Sequence, residues 1–257
     1  LGTSGTGSGS GSQSLVHPHI WVSPSDRQGI LDNISNHSWA SSLFTQLGQR
    51  QSSRLTSHAA NPAAEIALIP AIPGDRTQHR ARLNVGVECA MLYYLTEDER
   101  YAQIASDILH QYVKLLSVQN VDFQFYSGAN FNHLIPPREL FPRVAIIYDF
   151  VQPFISKSGT TVFDLASNSQ VPFNFETSNV AFTVMAANVI EIGGNESNHP
   201  VLELPGGLYS VLCMEDDGIR ESYFNQLLNG SVNSAQPGIH WMLDTFSPVE
   251  RLWPESS

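Results

Sequence analysis

The chain has 257 residues, of which 42% are hydrophobic and only 14% charged, and its formal net charge is −11. That composition belongs to a folded chain with a sizeable core, in one large domain or two small ones. It also argues against nucleic acid as the main partner, because phosphate binding needs clustered cations and the chain has 13 Lys and Arg in all. With charge so sparse, surface polarity falls to Ser, Asn, Gln and His, which suits a hydroxyl-rich ligand. No apolar run approaches the roughly 20 residues of a membrane span. Cys89 and Cys213 lie within apolar runs and read as small core residues.

Residues 1–14 are almost wholly Gly, Ser and Thr, which cannot bury enough surface to fold and read as a flexible linker. Such a tether favours an exported protein, secreted or periplasmic, with attachment to an outer membrane as one version. Folded sequence is expected over 15–257. Ser23 before Pro24 is a helix-start signal, and Ile30, Leu31 and Ile34 follow at helical spacing. A second helix is expected from Ser38, with Trp39, Leu43, Phe44 and Leu47 as its stripe, and then a long Pro-containing connection from Ser57 to Asp75. Arg82 to Leu95 and Glu97 to Leu116 read as an antiparallel helical hairpin, with Thr96 as the cap of the second helix.

From Val118 to Pro137 the periodicity gives way to an aromatic and polar loop, DFQFYSGANFNHLIPP. Tyr126, Asn130 and His133, with Arg138 just beyond, are candidate substrate-binding residues, since aromatic faces and amides match the apolar faces and hydroxyl edges of sugars. Helices are then expected over Arg138 to Ile155, Glu176 to Ile192 and residues 200 to 214, with 156 to 174 as loop. The stretch EDDGIRESYFNQLL, Glu215 to Leu228, joins an acidic Gly turn to a helix and places Arg220, Glu221 and Tyr223 just past the turn. Helix following helix without strand alternation implies an all-α fold of paired antiparallel helices, a toroid or solenoid.

Four segments, HPHIWVSPSDRQGILDNI, NVGVECAMLYYLTEDERYAQIASDILHQYV, TSNVAFTVMAANVIEIG and DDGIRESYF, together resemble the N-terminal catalytic domain of heparinase II/III-like and alginate-type polysaccharide lyases. The resemblance covers most of residues 17 to 228. It implies an incomplete α/α toroid, followed in that family by antiparallel β-sheet domains that this chain would lack. It also implies cleavage of a uronic acid polysaccharide, alginate first, by β-elimination. Asn179 matches the family's toroid Asn and Tyr223 its Tyr. Val180 stands where many members carry a His, and the family's further catalytic His lies in the β domain.

In that chemistry the carboxylate beside the C5 proton must be neutralised before the proton can leave, a task for Asn179 aided by Arg138 or His133. Tyr223 would carry the proton, and Arg220 nearby would favour its phenolate. Arg220 and Glu221 complete the expected substrate contacts. No metal or other cofactor is required, a structural ion in a missing domain aside, and His17 and His19 alternate without convincing zinc spacing. Two rivals remain. One is an α/α-barrel glycoside hydrolase using two carboxylates among Asp216, Asp217, Glu221 and Glu176; the other is a noncatalytic helical glycan-binding protein.

Overall fold

The structure is a computed structural model, and it describes residues 15–128, 135–192, 200–230 and 238–240. The fold is all-α, as the periodicity implies. In chain order the helices are α1 (Asp26–Asn36), α2 (Ser38–Ala60), α3 (Pro62–Ile66), α4 (Arg76–Thr96), α5 (Glu99–Ser117), α6 (Ile135–Glu139) and α7 (Phe141–Ile155). A two-stranded hairpin, β1 (Val162–Asp164) and β2 (Ser169–Val171), precedes α8 (Phe175–Ile192), α9 (Pro200–Leu212) and α10 (Asp217–Asn229). None of the described helices is long and apolar enough to cross a membrane.

Several boundaries differ from the sequence reading for identifiable reasons. Ser23 does not cap α1. Its backbone N–H and hydroxyl both donate to Asp26 Oδ2, at 2.7 and 2.8 Å, so the helix starts only at Asp26. Thr96 does not cap α5 either, because its hydroxyl donates back to Leu92 O at 2.6 Å. Glu97 then takes a left-handed conformation that ends α4, and Asp98 accepts from Arg100 N to cap α5. The connection from Ser57 is partly helical, with α2 continuing to Ala60 and Asn61 capping α3.

The core is built around α5 and α7. Ile104, Ala105, Ile108, Leu109 and Tyr112 of α5 are buried against α4, α7 and α8, and Ile147, Tyr148 and Val151 of α7 are buried with them. Each large apolar side chain buried in this way contributes about 1.5–3 kcal/mol relative to exposure. Cys89 and Cys213 are buried free thiols, as their apolar surroundings imply. α9 packs on both α7 and α8 and lies close to α6, because a Cβ on Gly206 would stand 2.3 Å from Pro137 O.

The hairpin between α7 and α8 replaces the expected loop. Its three-residue strands, with Val162 opposite Val171, are too short for alternation to show. Polar anchors hold it to α5: Phe163 N donates to the buried Asp107 at 2.8 Å, and Lys114 pairs with Asp164. Burial would push the Asp164 carboxyl up, but Lys114 and Ser167 outweigh that and hold it at about 2, below the ordinary 3.8. An Asp with a depressed folded pKa stabilises fully above its unfolded value, and that stabilisation is lost as pH falls toward the folded one.

Three outcomes follow from this packing. Gly206→Ala should destabilise the protein by about 1–3 kcal/mol through overpacking against a backbone that cannot yield, read as a lower urea midpoint. Gly48→Ala, where nothing lies within 4 Å, should instead be neutral or stabilising by about 0.5–1 kcal/mol. Asp164→Asn should be less stable than the parent at neutral pH, and its urea midpoint should change less between about pH 4 and pH 2.

Candidate functional site

The tight turn between α9 and α10 gathers side chains from four separate parts of the chain. It is closed from both ends. Cys213 N and Met214 N donate back to Ser210 O and Val211 O at 3.2 and 3.1 Å, while Asp216 caps α10 by accepting from Ile219 N at 2.8 Å. Arg220 reaches back over the turn to Met214 O at 2.7 Å and pairs with Asp217. Glu215 is thereby directed into the protein, where Tyr148 of α7 donates to its Oε1 at 2.8 Å and His17 Nε2 lies 3.4 Å from the same oxygen. His17 and the Tyr148 hydroxyl together hold the Glu215 carboxyl below its usual range despite burial.

Beneath Glu215 lies Asp149, a carboxylate with no solvent exposure in the middle of α7. His17 Nδ1 is 2.7 Å from its Oδ1, His19 N donates to both oxygens at 3.0 and 3.1 Å, and Ile20 N donates to Oδ2 at 2.9 Å. His19 Nε2 donates to Leu212 O at 3.1 Å, so the N-terminal segment ties α7 to the end of α9. The Tyr148 ring stands edge-on to His17 and to Phe182 of α8, with centroids 5.6 and 4.9 Å apart.

Asn179, in the second turn of α8, joins this group through Glu215 N, which donates to its Oδ1 at 3.2 Å. A backbone N–H can only donate, so this contact fixes which way the amide faces. The oxygen is committed to the turn, and the two N–H donors of the same amide are directed away from it. Helix capping, the ordinary alternative for such an Asn, is carried instead by Asn174, whose Oδ1 accepts from Thr177 N at 2.8 Å.

Two clefts border α9. One, of about 500 Å3, is lined by Trp21, Asn84, Arg138, Arg143 and Tyr209 among others. Trp21 is half exposed, and its indole N–H lies 3.4 Å from the Tyr209 hydroxyl, one turn of α9 before Leu212. The other cleft, of about 560 Å3, is lined by Leu212, Asp217, Arg220, Glu221 and Phe224. Each combines an aromatic ring with a guanidinium, a pairing that accommodates an acidic sugar.

The expected site residues fare differently. Arg138 lines the first cleft and pairs with the buried Glu203 at 2.6 Å, while Arg220 and Glu221 line the second. Tyr126 is corrected: it is buried among His79 and Phe125, bridged to Gly74, and its ring cannot stack on a sugar. Arg220 does not favour a Tyr223 phenolate, being engaged with Met214 O and Asp217. Burial, with Glu191 adding to it, raises the Tyr223 phenol above its usual value. Tyr223 is half-buried on α10, which packs on α8, the helix that carries both Glu191 and Asn179. Asn130 and His133 lie outside the described residues. The carboxylates of a hydrolase reading are occupied in part, with Asp216 as a cap and Asp217 paired.

Asp149, Glu215 and His17 escaped sequence reasoning as site residues. A signal existed: an Asp inside the apolar run AIIYDFV of α7 is out of place unless something buried meets it.

In this setting the chain is similar to a curated polysaccharide lyase. It is 32% identical, over 263 aligned positions taking in 96% of this chain, to an endo-acting ulvan lyase of Formosa agariphila. The chain spans about a third of that protein's length, 32%. No protein-family model matches the chain, and no solved structure matches it significantly.

Tyr148→Phe tests the buried group. It leaves Glu215 without its hydroxyl donor and should cost about 1–3 kcal/mol in chemical denaturation. A loss no larger than that of an exposed Tyr→Phe change would show that the contact carries little.

Proposed function

We propose that the protein is a polysaccharide lyase acting on an acidic polysaccharide by β-elimination, with the Asn179 amide as the group that meets the uronate carboxylate. The observation that carries this reading is the fixed orientation of that amide. Its oxygen is held by Glu215 N, so N–H donors are presented without reorganisation where negative charge develops. In the elimination the C5 proton leaves to a base, a double bond forms between C4 and C5, and the C4–O bond breaks with a proton delivered to that oxygen. Asn179 stabilises the enolate-like carboxylate in between.

The lyase similarity and the two aromatic and cationic clefts support a polymeric acidic substrate. The ulvan named for the relative displaces alginate as the first substrate to try. Tyr223 is offered as proton carrier on the family resemblance alone. Its raised pKa keeps it protonated at neutral pH, which suits the acid that protonates the departing oxygen better than the base at C5. A polymer of this kind places the enzyme outside the cytoplasm, and residues 1–14 suit a tether there.

The test is to incubate the whole protein with ulvan, alginate, glucuronan and glycosaminoglycans and follow the ultraviolet absorption of unsaturated ends. Turnover of one of them is expected, with Asn179→Ala lowering kcat by about 10²–10³ while binding of the polymer persists. Tyr223→Phe should abolish turnover if that phenol protonates the leaving oxygen, and retained activity removes it from the mechanism. Saturated products would establish the hydrolase reading, and binding without any product the noncatalytic one.

A further inference from the structure

The buried cluster of His17, His19 and Asp149 holds more than a structural clasp. His19 Nε2 faces the Leu212 carbonyl at 3.1 Å, and a carbonyl only accepts, so that nitrogen carries the ring proton. In the neutral ring Nδ1 is then the unprotonated nitrogen; it stands 3.5 Å from Asp149 Oδ1, buried and with no hydrogen-bond partner. Two lone pairs facing one another away from water repel unless a cation lies between them. His17 stands between two carboxylates. Its Nε2 faces the Glu215 carboxylate at 3.4 Å and its Nδ1 faces the same Asp149 oxygen at 2.7 Å.

One donor atom from each of the three residues lies within 4.8 Å of the others. Among the described residues no Lys or Arg pairs with Asp149, although Asp149 and Glu215 bring two negative charges. A proton on His17 would offset one of them; a divalent cation would offset both. We propose that His17 Nδ1, His19 Nδ1 and Asp149 Oδ1 form a binding site for a transition-metal dication of the zinc class.

The surroundings have the form that metal-bound imidazoles require. Each ring's other nitrogen faces an acceptor: the Leu212 carbonyl is hydrogen-bonded behind His19 and the Glu215 carboxylate stands 3.4 Å behind His17, an arrangement that favours the tautomer with Nδ1 free to ligate. Two N/O ligands at about 2.1 Å on a tetrahedral ion stand roughly 3.4 Å apart. The His19–Asp149 separation of 3.5 Å already matches this, and the 2.7 Å of His17–Asp149 needs to open by roughly 0.7 Å. His19 is partly exposed and gives the ion and a completing water their route in. The bound ion would tie the N-terminal segment to α7 and, through His17 and Glu215, to the turn that orients Asn179. The site does not depend on the lyase reading.

The protein, stripped of metal by chelator and dialysed, is titrated with Zn2+ by equilibrium dialysis and with Co2+ by visible absorption. One equivalent is expected, with the d–d bands of a nitrogen and oxygen site. His19→Ala should weaken binding by at least about tenfold, while His37→Ala, an exposed His elsewhere, should leave it unchanged. Imidazole nitrogen NMR of the unmutated protein gives a reading independent of any variant, since Zn2+ should shift Nδ1 of both His17 and His19. Failure of the folded protein to bind either metal, full affinity in His19→Ala, or ring shifts confined to other His residues would overturn the site and leave a protonated His17 between two carboxylates.

Discussion

Burying a carboxylate costs several kcal/mol unless its charge and lone pairs are met, and Asp149 sits fully buried on the central helix α7. Its oxygens accept from His19 N and Ile20 N and face His17 Nδ1, all from a segment more than 120 residues away in sequence. This constraint places the N-terminal segment. Once held there, His19 ties Leu212 at the end of α9, His17 reaches Glu215, and Glu215 N sets the amide of Asn179. Removing the Asp149 carboxylate would therefore disturb the candidate site through a chain of directional contacts rather than through lost apolar packing.

The helices were legible because their apolar stripes are long, as in α5, where a wide face meets α4, α7 and α8. Their ends were not, because Ser23 and Thr96 have the composition of caps but spend their hydroxyls on Asp26 and Leu92. The choice between those partners depends on where the preceding residues lead the chain. The hairpin after α7 was hidden for a related reason: three-residue strands carry no period, and what holds them is Asp107 and Lys114 on another element.

Site residues divide along the same line. Asn179 was singled out because a motif carried it, and the structure joins it to Glu215. Its partner Glu215 opens the stretch that leads to Tyr223, yet its contacts depend on His17, Tyr148 and Asn179 meeting there from distant segments. Tyr126 shows the opposite error. An aromatic in a polar loop reads as a sugar platform, but beside Phe125 and His79 its ring is core.

The charge distribution bears on why an uncharged amide would suit the proposed contact with a substrate carboxylate. The chain has 13 cationic side chains against 24 acidic ones, and the guanidiniums near the clefts are mostly spent on internal carboxylates. Arg138 is paired with Glu203, Arg220 with Asp217, and Arg50 with Glu88. Arg143 differs, because its hydrogen bonds go to Asn84 Oδ1 and the Glu139 carbonyl, while the nearby Glu139 carboxylate is paired with Arg76. An acidic polymer would thus meet one positioned cation in the first cleft and a preoriented amide at the turn. Binding and charge stabilisation would then fall to different residues, which allows the amide to act on the transition state without also tightening the ground state.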